Sequence, residues 1–560
     1  MISPRAHHKF WPARVPHAIR PPATALPDNL LVSARRFPDH PALVFLGQAT
    51  SYAELAAQVQ RLAAWLAQRG VRRGDRVLVG LQNCPQLVIA HYAIHSANAV
   101  VVPVNPMNRA AELKHLREDS GAVLAITSAD LAAEWLAAGM AAQDLLVTRL
   151  AEALPGGRAD AAALQQLPPG WGDWLNADIP LPAGATAWAD ALACTAEPPQ
   201  TVVGADDLAV LPYTSGTTGN PKGCMHLYRS LQHNIFAGGL WGNASHEDVV
   251  LGVVPMFHIT GMVVVMHGTL ASGGTLVLMP RWQREYAARL IAEHRVTRWT
   301  NIPTMVIDLL ASPQADGFDL SSLVTIGGGG AAMPQAVAER LLSRHGLRYM
   351  EGYGLTETAA PSHSNPYDAP KQQCLGVPFL SCDARVVDPD TLRELPPGES
   401  GEIIVHGPMV FDGYWRQPEA TAAAFVEFEG RRFFRTGDIG CVDADGYFFM
   451  TDRLKRMINA SGFKVWPSEV ENLMHAHPGI AEACIISAPD AYRGETVKAV
   501  VVRRAGHEAL TADALRAWCR EHMAVYKVPA VVEFVDTLPK SGAGKVMWRT
   551  LQERERAPGG

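Results

Sequence analysis

The sequence has few cysteines, and none of them forms the close pairs that a zinc site or a redox motif requires. The eight cysteines are scattered singly along the chain, which is typical of a protein in a reducing cytoplasm. Positive charge is not in excess either: the net charge of −6 gives no electrostatic reason to expect nucleic acid as a partner. The first twenty residues also lack the continuous apolar stretch of a secretory signal, so we expect a cytoplasmic protein.

Asp, Glu, Lys and Arg are absent from residues 249–280, a length that could cross a membrane. Pro255, His267 and the Ser-Gly-Gly at 272–274 interrupt this segment, and in lipid they would leave polar groups without partners. We therefore predict a buried strand-helix-strand segment and no transmembrane span.

A chain of 560 residues is too long for one hydrophobic core, so at least two domains are expected. Helix and strand signals alternate in the manner of an α/β protein. Ser51 and Glu54 can form a capping box at a helix start, Gly70 can end that helix, and 77–79 then reads as a strand. The Ala-, Pro- and Gly-rich residues 154–199 are interpreted as a surface excursion.

The most informative segment is 213–223, YTSGTTGNPKG, which combines glycines, hydroxyls and the single lysine Lys222. Glycines let the backbone approach a polyanion, while hydroxyls and an ammonium donate further hydrogen bonds, so the segment predicts a grip for nucleotide phosphates. Two residues separate the last glycine of the run from the lysine, which excludes the Walker pattern. A strand at 208–211 and a helix from about Tyr228 would place the phosphate beyond a strand's carboxyl end. The alternative is a flexible surface turn.

Two later segments could hold a purine and its metal: 327–334, GGGGAAMP, and 351–358, EGYGLTET. The glycines let a flat ligand lie on the backbone, Tyr353 offers an aromatic face, and Glu357 offers a carboxylate for Mg²⁺. Alternatively, the glycine run is a plain turn and Glu357 is a solvated helix cap.

Two further segments complete the set. Asp438, in the sequence RTGDI, could accept hydrogen bonds from two ribose hydroxyls, or it could be an ordinary β-turn aspartate. Lys545 ends a glycine-rich segment, PKSGAGK, and taken singly it could be a plain exposed charge.

In combination, these motifs resemble the adenylate-forming superfamily of acyl-CoA synthetases, luciferase-like enzymes and peptide-synthetase adenylation domains. The resemblance runs from about residue 41 to residue 549, and the segments 256–261, 302–306 and 459–464 look most like bacterial fatty-acid-CoA ligases. It implies an α/β fold, with a large N-terminal domain of layered α/β subdomains over 1–452. A small mobile α+β C-terminal domain over 453–560 would follow a hinge near 452–456, at Lys455.

The resemblance also assigns roles residue by residue. The implied catalytic residues are Lys545, Thr356, Glu357 and Lys222, with Glu357 as the Mg²⁺ ligand. The implied ATP- and AMP-binding residues are Thr214, Ser215, Gly216, Thr217, Thr218, Lys222, Gly329, Gly330, Ala331, Glu351, Gly352, Tyr353, Gly354, Thr356, Asp438, Arg453 and Lys545. The implied acyl pocket consists of His258, Ile259, Thr260, Trp299, Asn301, Gly327, Gly328 and Gly329, and the implied CoA channel of Gly462, Phe463 and Lys464. Without the resemblance, His258 would read as a buried core histidine.

The implied activity is that of an ATP-dependent carboxylic acid-CoA ligase, which forms an acyl-adenylate and then the CoA thioester, releasing pyrophosphate and AMP. ATP, Mg²⁺ and CoA are the implied cofactor and co-substrates, and a medium- or long-chain fatty acid is the favoured substrate. An aryl or arylalkanoic acid, a carrier protein loaded in place of CoA, and a non-catalytic nucleotide-binding protein are the alternatives. The exact acid and its chain length, the pathway, acylation of Lys545 and the oligomeric state, with a homodimer as one option, are left open.

Overall fold

The computed structural model describes residues 6–214, 221–453, 456–460, 463–465, 467–490, 494–540 and 546–556. The chain divides into two compact units. The large unit consists of His7–Asp383 and Val405–Phe434, and the small unit is built from Ala384–Ile404 and the chain from Arg435 onward.

The helices, in chain order, are α1 (Leu26–Arg36), α2 (Tyr52–Gln68), α3 (Pro85–Ser96), α4 (Ala110–Ser120), α5 (Ala132–Ala137), α6 (Ala161–Gln166), α7 (Trp171–Leu175), α8 (Trp188–Leu192), α9 (Tyr228–Trp241), α10 (Gly268–Ser272), α11 (Arg284–Glu293), α12 (Pro303–Ala311), α13 (Gln335–His345), α14 (Pro418–Ala423), α15 (Pro467–Met474), α16 (Ala512–His522) and α17 (Trp548–Arg556).

The strands are β1 (Pro41–Phe45), β2 (Gln48–Ser51), β3 (Arg76–Gly80), β4 (Val100–Pro103), β5 (Leu124–Ser128), β6 (Leu145–Thr148), β7 (Thr186–Ala187), β8 (Leu208–Val210), β9 (Tyr213–Thr214), β10 (Lys222–Leu227), β11 (Val249–Gly252), β12 (Thr275–Leu278), β13 (Arg298–Asn301), β14 (Thr325–Gly328), β15 (Tyr349–Leu355), β16 (Ala360–Ser364), β17 (Val377–Pro378), β18 (Asp383–Val387), β19 (Gly401–His406), β20 (Gly413–Tyr414), β21 (Phe425–Phe428), β22 (Arg431–Val442), β23 (Phe448–Arg453), β24 (Ile458–Ala460), β25 (Phe463–Val465), β26 (Ile480–Asp490), β27 (Gly494–Arg503) and β28 (Val531–Phe534).

Two mostly parallel sheets organise the large unit, the first with antiparallel pairing at both edges and the second at its β20-β10 edge only. One has the strand order β17-β16-β15-β14-β13-β11-β12-β1-β2, and the other has the order β20-β10-β8-β4-β3-β5-β6-β7, with β9 paired to β10. The helix α3 is buried on all sides from Pro85 to His95, as expected of a helix enclosed by other layers. This arrangement is the predicted α/β class.

The first predicted helix begins and ends close to where its signals indicate. Ser51 caps α2: its hydroxyl accepts from the Glu54 N–H at 3.2 Å, and its own N–H donates to the Glu54 carboxylate at 2.8 Å. Gly70 follows the helix end with φ +86°, a conformation that suits glycine. Strand β3 then includes the predicted residues 77–79.

The prediction of a surface excursion at 154–199 is wrong. Trp171 and Trp188 are 7% and 4% exposed, so both aromatic side chains belong to the core of the large unit. Strand β7 extends the second sheet by pairing with β6. Burial of these large aromatic side chains holds the segment against the core, even though its Pro and Gly content is typical of surface loops.

The charge-free segment 249–280 folds as predicted, from β11 through a helix to β12. The helix contains a π-helical stretch, Gly261–His267, which continues into α10. Gly261 permits a close contact there, because an added Cβ would lie 2.2 Å from the Pro255 carbonyl oxygen. Among the described residues, no helix is both long enough and apolar enough to span a bilayer.

The small unit has its own sheet, ordered β25-β24-β27-β26, with β28 paired to β27. Helices α15, α16 and α17 contact this sheet. Ile485, Val497 and Leu515 are buried in its core. The unit is therefore α+β, as predicted for the C-terminal domain, while the boundary near 452–456 stays a prediction.

Candidate active site

The phosphate-loop segment joins the two antiparallel strands β9 and β10. Thr214 lies opposite Lys222, and Tyr213 lies opposite Gly223. The helix α9 does begin at Tyr228, as predicted, but β10 lies between it and the loop. The predicted order of strand, loop and helix is therefore wrong at its last step: backbone pairing continues the chain as a hairpin before the helix starts.

Side chains of the large unit hold both ends of this hairpin. The Tyr213 hydroxyl donates to an Asp119 carboxylate oxygen at 2.6 Å, and a ring nitrogen of His115 lies 3.1 Å from the Pro221 carbonyl oxygen. Both partners lie on α4. The surface-turn alternative does not account for this anchoring, since a plain turn needs no side-chain partners at both ends of the loop.

Lys222 and Glu357, far apart in sequence, are linked through Tyr414. The Lys222 ammonium lies 5.0 Å from the centre of the Tyr414 ring, and the Tyr414 hydroxyl donates to a Glu357 carboxylate oxygen at 2.8 Å. Burial, and then the Glu357 charge, raises the pKa of Tyr414, so the phenol keeps the proton that it donates. The interpretation of Glu357 as a plain solvated cap is therefore wrong, because this carboxylate is half-buried and bonded.

His226 supports the backbone of Thr356. Its Nε2 lies 2.6 Å from the Thr356 carbonyl oxygen, and its Nδ1 lies 3.2 Å from the Ser230 hydroxyl. Burial lowers the pKa of His226 to about 4, so the imidazole is neutral at pH 7. A neutral ring can donate from Nε2–H to the Thr356 carbonyl oxygen, while the Ser230 hydroxyl donates to the Leu227 carbonyl oxygen at 2.9 Å.

The glycine run is required by close packing between neighbouring strands. A Cβ would lie 2.2 Å from the Met350 carbonyl oxygen at Gly327, 1.7 Å from the Asn301 carbonyl oxygen at Gly328, and 2.4 Å from the Gly352 carbonyl oxygen at Gly329. Gly327 and Gly328 end strand β14. The turn alternative is therefore wrong for these two residues.

The remaining predicted purine residues lie in the bend after β14 and in β15. Gly330 has φ +84° and is exposed, as is Ala331. Gly352 and Gly354 lie in β15, and a Cβ at Gly354 would lie 1.8 Å from the Ala360 carbonyl oxygen. The ring of Tyr353 is buried and contacts His363 edge-on, with 5.5 Å between ring centres.

Glu351 has a backbone partner. Its carboxylate accepts from the Met333 N–H at 2.8 Å, and burial raises its pKa. The contact fixes the chain after the glycine run against β15. In this structure Glu351 therefore positions the backbone of the predicted nucleotide site.

The predicted acyl-pocket residues divide into an exposed residue and a buried group. His258 is exposed, so its interpretation as a core histidine is wrong: the chain turns toward solvent just before the π-helical stretch. Ile259 is buried and Thr260 is half-buried. Trp299 and Asn301 are buried side by side on one face of β13.

A residue that the sequence reading missed holds the segment before His258. The buried amide of Asn83 donates to the carbonyl oxygens of Gly252 at 3.0 Å and Val254 at 3.1 Å, and its oxygen accepts from the Met256 N–H at 2.9 Å. Nothing in the sequence near Asn83 marks it, since its partners lie about 170 positions later. Tyr414, His115 and Asp119 were missed for the same reason.

In the small unit, the two predicted ribose residues are cross-strand neighbours. Asp438 in β22 pairs with Arg453 in β23. Asp438 is 1% exposed and lies within a strand, so the β-turn interpretation is wrong. The role of the two residues in binding ribose stays a prediction.

The residues around the predicted hinge are tied to helix α15. An Asp452 carboxylate oxygen accepts from the Ser468 N–H at 2.6 Å, and Arg456 forms an ion pair with Glu471 at 2.5 Å. These contacts hold the chain on either side of Lys455 to the same helix, so the hinge at Lys455 stays a prediction.

Several predicted site residues lie outside the described residues: Ser215, Gly216, Thr217, Thr218, Lys455, Gly462 and Lys545. Phe463 and Lys464 lie in β25, where Lys464 pairs with Asn459 of β24.

Comparisons with known proteins agree with this arrangement. The family profile described as AMP-binding enzyme matches residues 30–415, and that of the AMP-binding enzyme C-terminal domain matches residues 469–545. A long-chain-fatty-acid-CoA ligase of Bacillus subtilis is 35% identical over 553 residues, which are 97% of each chain. A feruloyl-CoA synthase of an Amycolatopsis species is 37% identical over 524 residues, 93% of this chain and 97% of that protein.

A solved structure has the same fold. ATP-bound MatB from Rhodopseudomonas palustris superposes with a TM-score of 0.78 at 30% identity, over 95% of this chain and 99% of that one. With both family profiles matched in order and relatives aligned along nearly the full length, the chain belongs to the AMP-binding enzyme family, the adenylate-forming acyl-CoA synthetases.

Proposed function

We propose that this enzyme is a carboxylic acid-CoA ligase whose preferred acid is a medium- or long-chain fatty acid. The observation that carries the activity is the Lys222, Tyr414 and Glu357 arrangement, because it joins the phosphate loop to the carboxylate of a second motif. A cation and a carboxylate at one place suit a nucleotide triphosphate that arrives with a divalent cation.

The first half-reaction needs a good leaving group on the acid. The substrate carboxylate attacks the α-phosphorus of ATP, the bond to pyrophosphate breaks, and an acyl-adenylate forms. Negative charge accumulates around phosphorus, so fixed positive groups stabilise the transition state. We assign the β- and γ-phosphates to Lys222, Thr214 and the loop between them, and the α-phosphate to Thr356.

Mg²⁺ is part of this proposal. Glu357 fits it, since a half-buried carboxylate supplies hard oxygen ligands and Tyr414 fixes one of them. Mg²⁺ usually takes few protein ligands together with phosphate oxygens, so one carboxylate suffices. When bound, the ion offsets phosphate charge; the protein's own part is to orient Glu357.

The second half-reaction transfers the acyl group to CoA. The thiol sulfur attacks the acyl carbon, the bond to the AMP oxygen breaks, and the thiol proton is released. We propose that the small domain rotates about Lys455 between the two halves, removing Lys545 and presenting Gly462, Phe463 and Lys464 to the thiol. Because Ser468 lies on α15 of the C-terminal domain, this rotation would break the hydrogen bond from its N–H to the Asp452 carboxylate.

An aryl acid is the second candidate substrate. The feruloyl-CoA synthase relative acts on an aromatic acid by its name and is as similar as the fatty-acid ligase relative. Trp299 stacks on Trp282 with ring centres 5.8 Å apart, and its buried Nε1–H has no hydrogen-bond partner among the described residues. An aromatic acid bearing an oxygen could use both features.

The test is pyrophosphate release with ATP and Mg²⁺ across matched alkyl and aryl acids, with and without CoA. Thioester formed on CoA with an alkyl optimum supports the fatty-acid proposal, and an aryl optimum replaces it with the second candidate. Release without thioester on CoA favours a carrier-loading enzyme. Binding of ATP without turnover of any acid overturns the proposed function.

A cytoplasmic location is also proposed, supported by eight cysteines that are all free thiols. The homodimer stays a prediction, and static light scattering on the purified chain tests it.

A further inference from the structure

Three histidines meet in the core of the large unit, away from the motifs described above. His91 and His95 lie one turn apart on α3, and His267 ends the π-helical stretch. All three side chains are 0% exposed. Each offers one ring nitrogen to a group whose members all lie within 4.8 Å of one another.

The facing nitrogens have no protein partners among the described residues. Both ring nitrogens of His91 and the Nε2 atoms of His95 and His267 are buried without a hydrogen bond. Buried polar atoms are almost always satisfied, because an unsatisfied one loses its bond to water and gains nothing. Because each of the three rings offers one nitrogen to the same cluster, these unsatisfied atoms indicate a shared ligand.

The outer nitrogens of two of these rings are fixed by tyrosines. Nδ1 of His95 lies 2.9 Å from the Tyr228 hydroxyl, and Nδ1 of His267 lies 3.0 Å from the Tyr92 hydroxyl. If each Nδ1–H donates to its tyrosine oxygen, each Nε2 presents a lone pair. Metal-bound histidines are usually held in this way, with the other ring N–H donating to an outer oxygen.

The protonation state also suits a metal. Burial lowers the pKa of His91 and His95 to about 3 and holds that of His267 well below its usual value, so the rings are neutral. Neutral imidazole is the form that coordinates.

We propose that His91, His95 and His267 form a structural site for one late first-row transition-metal ion, in the first place Zn²⁺. Imidazole is a preferred ligand for this class of metal. Bonds from zinc to nitrogen of about 2.0–2.1 Å in a tetrahedral site separate the nitrogens by roughly 3.4 Å. The three nitrogens lie within 4.8 Å of one another, so small side-chain rotations would bring them to that separation. A water can take the fourth position.

The site would tie two elements that border the candidate acyl pocket. His267 ends the π-helical stretch that begins directly after the predicted pocket residues, and α3 begins two positions after Asn83, which holds Met256. A metal here would hold α3 and the π-helical stretch together without touching the reacting atoms. It is therefore a structural site, and it does not depend on the proposed activity.

The experiment uses the untagged full-length chain, since a histidine tag binds zinc, produced with zinc in the medium and freed of loose metal by gel filtration with a weak chelator. Metal content is measured by plasma mass spectrometry. We expect about one zinc per chain in the wild type and a loss of most of it in His91→Gln and in His267→Gln. The matched control is the double variant His8→Gln/His17→Gln, which removes the stacked pair whose ring centres are 3.7 Å apart and should keep its zinc.

Two measurements keep the proposal testable if a histidine variant fails to fold. Wild-type protein produced with Co²⁺ should show the visible d–d absorption of a nitrogen-ligated tetrahedral ion. Tyr92→Phe should fold, keep the ligands and weaken zinc affinity roughly 10-fold through the lost outer hydrogen bond. Wild-type protein without stoichiometric metal, or equal zinc retention in all variants including the His91 and His267 ones, overturns the proposal.

Discussion

Tyr414 donates a 2.8 Å hydrogen bond to the carboxylate of Glu357, and the two residues are 57 positions apart in the sequence. The same phenol ring lies beneath the Lys222 ammonium. One tyrosine therefore sets the distance between a cation and an anion that would face the same triphosphate. Its hydroxyl fixes one oxygen of the proposed Mg²⁺ ligand.

Replacing that hydroxyl should weaken adenylation. In Tyr414→Phe the ring under Lys222 remains, but Glu357 loses a donor worth about 1.5 kcal/mol for a hydrogen bond to a charged group. We expect roughly a 10-fold fall in kcat/KM for pyrophosphate release and a higher Mg²⁺ requirement. Tyr367→Phe is the control, and an unchanged Mg²⁺ dependence in Tyr414→Phe would contradict the positioning of Glu357.

Asn83 should control the segment that leads to His258. Asn83→Ala leaves two buried carbonyl oxygens and one N–H without their partner, at a cost of about 1–3 kcal/mol per unsatisfied group. We expect a lower melting temperature together with a raised KM for the acid and a smaller change in KM for ATP. Gln48→Ala on the exposed strand β2 serves as the control. A variant whose KM for ATP rises as much as that for the acid would argue against a local role.

The close approach at Gly329 makes a second structural prediction. In Gly329→Ala the new Cβ would lie 2.4 Å from the Gly352 carbonyl oxygen, so β15 must move. We expect a loss of stability of about 1–3 kcal/mol, as for an overpacked core, and weaker ATP binding by calorimetry. Gly317→Ala is the matched control, because its Cβ would meet nothing within 4 Å. Full ATP affinity in Gly329→Ala would exclude the nucleotide from this strand end.

His226 should make stability depend on pH in a predictable direction. Its folded pKa of about 4 lies below the ordinary value of 6.5, so the unfolded chain binds more protons between these values. The stability it contributes is therefore complete above pH 6.5 and falls as the pH drops from 6.5 toward 4. Between pH 7 and 5.5 this one group accounts for about 1 kcal/mol.

The measurement is urea unfolding at the two pH values. His226→Gln should lose about 1 kcal/mol less than the wild type on going from pH 7 to 5.5. His246→Gln, at an exposed position, should behave as the wild type. Equal pH dependence in all three proteins would show that His226 is not held neutral by burial.

The sequence predicted the elements whose signals are local. The capping box of Ser51 and Glu54 fixes the start of α2 through contacts three residues apart, and the uncharged segment 249–280 shows its burial directly. The strand β10 after the phosphate loop could not be predicted in this way, because its pairing partners β8, β9 and β20 determine it. The prediction for 154–199 failed for the same reason. The Pro- and Gly-rich composition indicated turns, but the burial of Trp171 depends on packing against distant residues.

The residues of the candidate site fall into the same two groups, those that the local sequence marks and those that only the fold brings together. Lys222 and Glu357 lie in motifs whose residue types indicate their chemistry. Tyr414, His115 and Asn83 instead contact partners that only the fold brings near. Their side chains have no distinctive neighbours in sequence. A contact between distant segments is a property of the packed structure, and no local pattern encodes it.

The last prediction separates the two half-reactions. Gly462 would lie beside the path of the CoA thiol, so Gly462→Leu should spare acyl-adenylate formation and block thioester formation, because a side chain would fill that path. Pyrophosphate release in a single turnover should stay near the wild-type amplitude, while acyl-CoA measured by mass spectrometry should fall at least about 100-fold, a loss of about 2.7 kcal/mol in transition-state stabilisation.

Lys545→Ala is the opposite case and serves as the comparison. It should suppress the single-turnover pyrophosphate burst, since Lys545 would stabilise charge during attack on the α-phosphorus, while chemically supplied acyl-adenylate should still yield acyl-CoA. The two variants thus predict crossed losses on two assays. If Gly462→Leu and Lys545→Ala instead lose the same half-reaction, one placement of the small domain serves both steps, and rotation about Lys455 is not part of the mechanism.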